Sequence, residues 1–571
     1  MMLQQYSRRD RVILMILTVA LVITFVPWLG MTPFNTKGEP REAIVAVSML
    51  QSGNWILPVS FGADIPYKPP FMAWCIAALS LPAGHVSEFT SRLPSAMAAI
   101  ALCMMTCLFV SRRLGDMTRG AVTAAVLATT IEVWRAGMAC RVDMLLTVFT
   151  VGALMSLYRW MERNWKGVPW AAIACMTCGV LTTGPVGMLL PCLVTGIYGL
   201  VRGDRFWPLL GRLTAAGLAS LILPAAWYVA AYYQGGEEFK RLALEENVGR
   251  MTGTMSYSSH EKPLWYNFVT VALGMLPYTL LGMLALIAVK WKNDGSKERF
   301  GKYLRRFGKW LRSADAAQVF CLLTVIIIFT FYCIPKSKRS VYLLPIYPFL
   351  AYYVVLMMQW LLGRKPQLLR VYGFVIATIA LLTGLTVCFA PVLSRWVSVL
   401  HKLHLDEPTV VGTTVGVTAL IAAVYLWHVL WMRRSIWCER TSVCVTMITL
   451  WAVSGGVLPF TLSAKSDRPM AEAIAAKVPC GPVYSYVDIE LLRYYTINYY
   501  LNDRVRLYER ELPAEGYMII SEEDLGEWER KYGGAYKVDP VLIGKQPSCD
   551  RRQKAMLVRF CIPAADGALS R

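Results

Sequence analysis

The run VILMILTVALVITFVPWL, Val12–Leu29, follows Arg8, Arg9 and Arg11 and opens onto a charged, proline-bounded segment. That segment begins Gly38-Glu39-Pro40-Arg41-Glu42-Ala43, passes Asn54-Trp55 and ends at Tyr67-Lys68-Pro69-Pro70. The apolar run has the length of a membrane helix. It is too long for the core of a cleavable signal and lacks a small-residue cleavage site, so it reads as a retained anchor. Three carboxylates, an arginine and a lysine then crowd its exit. Ionisable groups at a bilayer boundary are costly unless they are solvated, paired or used.

Working outward, the same pattern repeats. The chain has 571 residues, of which 56% are hydrophobic and 17% charged. Apolar runs lie near 12–30, 93–111, 120–137, 144–158, 170–186, 187–201, 213–233, 264–290, 317–335, 341–362, 371–393, 411–432 and 442–461. If each crosses once, the protein is an α-helical polytopic membrane protein of about thirteen spans. Spanning backbone must pair internally, which makes the architecture a helix bundle. The segment 70–83 is short and flanked by prolines, and reads as interfacial or re-entrant. A net charge of +21 in a soluble chain would point to nucleic acid. Here the basic residues sit in short loops between apolar runs, so nucleic-acid binding is not expected. Most of the fifteen cysteines lie within apolar runs and behave as small hydrophobes. Cys175-x-x-Cys178 sits in such a run with no second pair and reads as packing.

Charge orients the bundle. With the N-terminus in the cytoplasm, the alternate turns carry Arg112/Arg113/Arg119, Arg159/Arg163/Lys166, Arg202/Arg205/Arg212, Lys290 to Arg312, Arg364/Lys365/Arg370 and Arg433/Arg434/Arg440. Every cytoplasmic loop is then basic, as the positive-inside rule asks. The opposite face collects the loops 31–92 and 235–263, Arg135, Arg141 and Asp143, and Lys336-Ser337-Lys338-Arg339. Cations kept on the unfavoured side suit an anionic ligand such as phosphate, or pair with Glu39, Glu42 or Asp143.

The sequence divides into a membrane domain, 1–464, and a soluble tail, 465–571, placed outside the cytoplasm by the odd number of spans. The tail mixes both signs of charge. Val483 to Val487 alternates, Glu490–Tyr500 is helix-like, and Val505–Tyr508, Tyr517–Ile520 and Ala555–Val558 read as strands. This describes a small α/β domain. Cys480, Cys549 and Cys561 leave room for one disulfide, with the pairing open.

Several motifs resemble one family. Glu39-Pro40-Arg41-Glu42-Ala43, Gly53-Asn54-Trp55-Ile56-Leu57-Pro58, Lys68-Pro69-Pro70 with Trp74, and Arg92-Leu93-Pro94-Ser95 are similar to the first outer loop of ArnT-type transferases. These belong to the protein-mannosyltransferase-like group of GT-C membrane glycosyltransferases. The likeness continues at Arg141-Val142-Asp143-Met144, Thr183-Gly184-Pro185, Trp227-Tyr228, Glu246-Asn247-Val248-Gly249-Arg250 with His260, and Tyr342-Leu343-Leu344-Pro345. The resemblance implies transfer of a sugar from a polyprenyl (undecaprenyl) phosphate carrier to an acceptor at the outer face of the bacterial inner membrane. For ArnT itself the sugar is 4-amino-4-deoxy-L-arabinose and the acceptor lipid A. It implies that Lys68 contacts the carrier phosphate, that Glu39 and Arg41 match the loop's carboxylate and arginine, and that His260 matches a zinc-associated histidine. The chain departs from the pattern at Gly38, where the family has an aspartate, at Thr183, where a lysine is common, and at Tyr67, where an acidic residue precedes the lysine.

The expected site follows. Lys68, Arg41, Arg250, Lys336, Lys338 and Arg339 are the candidates to stabilise the leaving phosphate. Glu39 is the first candidate base, with Asp143 the residue that takes over if the missing aspartate is replaced elsewhere. Tyr67, Glu246, Asn247 and Tyr342 are expected to contact substrate, and His260 is the one position expected to hold a divalent metal such as zinc. The protein is expected to act as a monomer among membrane lipids. A protein O-glycosyltransferase of the same family and a transporter of lipid-linked sugar are the rival readings. Against transport, there is no internal repeat and no charged path through the apolar runs.

Overall fold

The computed structural model describes residues 7–66, 68–246, 261–288, 314–394, 409–432, 435–488, 492–532, 536–551 and 553–562. Tyr67, Asn247, Arg250, His260 and the basic loop 290–312 therefore lie outside the described residues.

The apolar runs form helices. In chain order these begin α1 (Arg8–Phe25), α2 (Gly38–Ser52), α3 (Phe71–Ser80), α4 (Glu88–Leu114), α5 (Met117–Ala128), α6 (Ile131–Gly137), α7 (Val142–Glu162), α8 (Trp170–Thr183), α9 (Val186–Arg202) and α10 (Phe206–Leu244). Among the described residues, seven helices are long and apolar enough to cross a membrane, or eight if one bent pair counts as a single span. The remaining expected spans are helical but fail that test. α5, α8 and α9 are short, and α1 carries Arg8, Arg9, Asp10 and Arg11 in its first turn.

Two expected spans are broken, each for a local reason. The run 120–137 splits between α5 and α6. There the Thr129 hydroxyl donates to the Ala125 carbonyl at 2.6 Å and Thr130 to that of Leu127 at 2.8 Å. Side-chain hydroxyls that return to backbone carbonyls compete with helix continuation. The run 264–290 bends by 101° between Tyr266–Gly274 and Tyr278–Ala288. Pro277 stands in that break, and proline has no N–H to continue a helix.

The chain separates into two compact units. The first holds residues 1–28 and 95–457 and contains the spanning helices. Its helices approach closely where small residues meet. α8 and α9 cross at Gly179 and Gly187, and a Cβ on Gly187 would fall 2.4 Å from the Gly179 carbonyl carbon. Small residues at such crossings let helix backbones pack directly in a bilayer.

The second unit joins the outer loop 29–94 to residues 458–571. The compact units thus do not follow the division at 464/465 drawn from composition, because the loop's polar atoms pair with the tail. Asp503 accepts from the Phe61 amide at 2.9 Å, Ser48 Oγ at 2.8 Å and Asn498 Nδ2 at 2.7 Å. Tyr500 Oη accepts from the Phe34 amide and donates to Glu88. The tail forms a five-stranded sheet in the order β2-β1-β3-β5-β4, from β1 (Val483–Ser485), β2 (Val505–Leu507), β3 (Glu515–Ser521), β4 (Lys537–Pro547) and β5 (Lys554–Cys561). β2, β1 and β3 run parallel, whereas β5 is antiparallel to β3 and β4. Composition did not distinguish β4 or the helix Glu522–Tyr532. β4 is largely exposed and lacks the alternation of a half-buried strand. Cys480, Cys549 and Cys561 are all free thiols.

Candidate active site

Candidate residues converge separately within each unit. In the second unit the decisive geometry begins at the start of α2. The helix opens at Gly38, so Pro40 stands within the first turn, where helix amides lack intrahelical partners. Glu39 turns inward and is 6% exposed. Its two carboxylate oxygens accept from Arg92 Nε at 2.8 Å and Nη2 at 3.1 Å. The Arg92 Nη1 donates to the carbonyls of Leu29 and Thr32 at 2.7 and 2.6 Å. Both side chains are almost fully withdrawn from solvent. Glu39 was expected to present a catalytic carboxylate. It forms one half of a buried, bidentate ion pair that ties the loop to the head of α4.

The carboxylate that meets Lys68 is Glu42. Lys68 Nζ donates to Glu42 Oε1 at 2.7 Å, and Arg41 Nη2 lies 3.2 Å from the same oxygen. Burial alone would push the Glu42 carboxyl up, but Lys68 and then Arg41 outweigh it and hold it at about 2. Arg41, Glu42, Ser60, Asp64, Lys68 and Tyr495 line a small recess, and Asp64 is 3.9 Å from Arg493. The sequence motif places Arg41 and Lys68 among the phosphate ligands, and the fold brings these two together.

In the first unit, Asp143, Leu146, Thr183, Pro185, Glu246, Tyr332, Ser337 and Tyr342 line a cavity of about 130 Å3. Asp143 stands in the first turn of α7, and Glu246 follows the end of α10. Tyr332 and Tyr342 stack with ring centroids 5.5 Å apart. The hydroxyls of Thr183 and Ser337 are buried and have no hydrogen-bond partner among the described residues. Buried polar groups are normally satisfied, so two unmet hydroxyls on residues that line one cavity are a departure from the usual pattern. Arg135 pairs with Glu132 at 2.7 Å and is therefore not the partner of Asp143.

The expected cation cluster does not converge on this cavity. Lys338 is buried and donates to the Pro335 carbonyl at 2.6 Å, and Lys336 is exposed. Arg339 is half-buried and precedes the short helix Ser340–Ile346. Of the stretch 336–339, Ser337 is the residue that lines the cavity.

His260, the expected metal ligand, lies outside the described residues. Elsewhere, Asp467, Cys549 and Asp550 offer donor atoms within 4.8 Å of one another. Asp467 already accepts from Ser548 Oγ, the Cys549 amide and Cys549 Sγ, and Asp550 from the Thr496 amide and hydroxyl. Burial pushes Asp550 up to about 8. A metal needs deprotonated ligands with open lone pairs, so this cluster fits a hydrogen-bonded brace better than a metal site.

Residues 67–229 match the dolichyl-phosphate-mannose-protein mannosyltransferase family. A curated relative from Edwardsiella ictaluri, an undecaprenyl phosphate-alpha-4-amino-4-deoxy-L-arabinose arabinosyl transferase, is 24% identical over 77% of this chain and 75% of its own. An uncharacterized Aquifex aeolicus protein is 26% identical over 56% of this chain, and the match spans only 59% of that protein. The crystal structure of ArnT from Cupriavidus metallidurans bound to undecaprenyl phosphate superposes with a TM-score of 0.68 at 19% identity, covering 99% of this chain and all of that one. The chain shares the fold of that ArnT structure. Its fold is that of a multi-pass membrane protein with a small sheet-containing C-terminal region.

Sequence reasoning missed Arg92 as the partner of Glu39 and the hydroxyl pair Thr183 and Ser337, and it left Glu42 as one of three candidate partners of the outward cations. The signal for Glu42 was present in the stretch first quoted. That stretch holds two glutamates three residues apart, a spacing that turns both toward one side of a helix, so spacing alone does not say which of them the lysine meets.

Proposed function

We propose that the protein is an inner-membrane glycosyltransferase that moves a sugar from a polyprenyl-phosphate carrier to an envelope acceptor on the periplasmic side. The observation that carries this reading is the first-unit cavity, with its two carboxylates, two unmet hydroxyls and stacked tyrosines. Hydroxyl-rich ligands over an aromatic wall are the natural occupants of such a lining. Lys68 and Arg41 are the groups that receive the carrier phosphate and offset the charge it gains as it leaves. Asp143 takes the base role from Glu39: it aligns a hydroxyl acceptor and accepts its proton, for which contributions of ~100- to 10,000-fold are typical. A phosphate acceptor is already anionic and needs alignment more than a base.

One observation favours an amino sugar. Among the described residues the cavity is lined by Asp143 and Glu246 and by no lysine or arginine. Two carboxylates favour a cationic ammonium group over a neutral hexose. This supports 4-amino-4-deoxy-L-arabinose as the sugar and a lipid A phosphate as acceptor, ahead of mannosyl transfer to protein. The alternating basic loops support a cytoplasmic N-terminus and a periplasmic C-terminal region, 465–571, in a monomeric protein. The test is transfer by the purified protein from undecaprenyl-phosphoryl aminoarabinose and from its mannosyl counterpart to lipid A, with Asp143→Asn as the inactive control. Transfer of mannose alone would reverse the sugar assignment.

A further inference from the structure

Glu42 lies within the motif that carries the resemblance, but the expected mechanism gives it no role in binding or catalysis. It is a buried carboxylate placed in the middle of a phosphate site, where its charge works against an anionic ligand. Lys68 and Arg41 both address its Oε1, at 2.7 and 3.2 Å. Among the described residues the other charged group lining this recess is Asp64, which has Arg493 3.9 Å away, with Tyr495 also in the lining. Arg41, Lys68 and Arg493 are thus set against Glu42 and Asp64, three cations against two carboxylates. Counted with Arg493, these described groups sum to one positive charge.

The chemistry of the reaction changes the charge on the phosphate. The donor is a phosphodiester and carries one negative charge. During transfer, the bond between the anomeric carbon and a phosphate oxygen breaks, and that oxygen keeps the electron pair. The acceptor oxygen bonds to the carbon, and a hydroxyl acceptor releases its proton. The carrier is left as a phosphomonoester, which holds a charge of about −1.5 to −2 near neutral pH because its second ionisation lies near 6. A site with two unopposed cations would hold this product more tightly than the substrate, and turnover would stall on product.

We infer that Glu42 sets the charge of the Lys68 recess to match the phosphodiester donor, so that the monoester product is released. This rests on the assignment of the carrier phosphate to Lys68. Glu42 is then a specificity-determining residue: it discriminates between two ionisation states of one lipid. Its carboxylate also occupies the Lys68 ammonium until the phosphate arrives.

The experiment uses the full chain in lipid nanodiscs and two probes, undecaprenyl phosphate and its methyl phosphodiester, with binding measured directly. Glu42→Gln keeps an oxygen to accept from Lys68 and removes only the charge. It should bind the monoester ~10-fold tighter at pH 8 and the diester no more than ~3-fold tighter. The extra affinity should vanish at pH 5.5, where the monoester is itself singly charged. In multiple turnover, the variant should show a lower kcat and stronger inhibition by undecaprenyl phosphate. Arg41→Gln, which moves the charge the other way, should weaken the monoester more than the diester, and Glu42→Asp should keep the wild-type ratio. Equal changes for both lipids, or weaker binding of both to Glu42→Gln, would make Glu42 only a prop for Lys68 and overturn the inference. If Lys68→Ala binds both lipids as well as wild type does, the phosphate is not at Lys68, and the parent assignment fails instead.

Discussion

Breaking the Glu39–Arg92 pair separates a structural role from a catalytic one. Glu39→Ala leaves the Arg92 guanidinium 2% exposed, still bonded to the carbonyls of Leu29 and Thr32 but without its counter-charge. Removing one partner of a buried ion pair costs about 3–5 kcal/mol, because the other charge stays buried and uncompensated. Arg92→Ala should cost at least as much, since it strands a carboxylate and removes donors from the same two carbonyls. The double substitution to methionine should recover part of the loss, because it leaves no orphaned charge. The assay pairs thermal unfolding in nanodiscs with turnover normalised to folded protein. Both single variants should unfold well below wild type, and the folded fraction should turn over within a few-fold of it. The reasoning is refuted if Glu39→Gln unfolds with wild type yet loses ~100-fold in normalised turnover, a barrier change of about 2.7 kcal/mol. Glu39 would then be acting on substrate.

Other consequences follow from single contacts. Lys68→Ala should abolish transfer by the folded fraction while also lowering the unfolding temperature, since it strips the Glu42 carboxylate of its closest cation, and a variant with wild-type turnover would remove the phosphate from this residue. Asp550 titrates near 8 when folded and, as an ordinary aspartate, near 4 when unfolded, so the folded state holds the extra proton between these values. Stability should fall as pH rises from about 4 to 8, and Asp550→Asn should flatten that slope in thermal unfolding across the same range. Gly187→Val should prevent folding or cost at least ~1–3 kcal/mol by forcing α8 and α9 apart, read as a loss of monodisperse protein on size exclusion.

The membrane character was legible because long apolar runs have few alternative fates. The breaks within those runs were not, since Thr129 and Thr130 are compatible with a continuous apolar run until their hydroxyls choose a carbonyl. Of the residues singled out from the sequence, Arg41 and Lys68 line one described cavity and Asp143, Glu246 and Tyr342 another. The partner of Glu39 was not legible, because it lies 53 residues away, at the head of the next apolar run. Arg92 could have been suspected on physical grounds. An arginine at the mouth of a spanning helix must find an anion or several carbonyls, and this one finds both. Glu42 was passed over because Glu39 carried the motif's catalytic expectation. Only the return of the chain from residue 42 to 68 shows which glutamate the lysine meets.

The central claim is sugar transfer from a polyprenyl-phosphate donor with Asp143 as the acting carboxylate. Its most direct test is mass spectrometry of lipid A after incubation with undecaprenyl-phosphoryl aminoarabinose and the purified full chain, as wild type, Asp143→Asn and Glu39→Gln. The account predicts an aminoarabinose adduct with wild type, none with Asp143→Asn, and an adduct with Glu39→Gln in proportion to its folded fraction. An adduct formed normally by Asp143→Asn and absent from folded Glu39→Gln would contradict it.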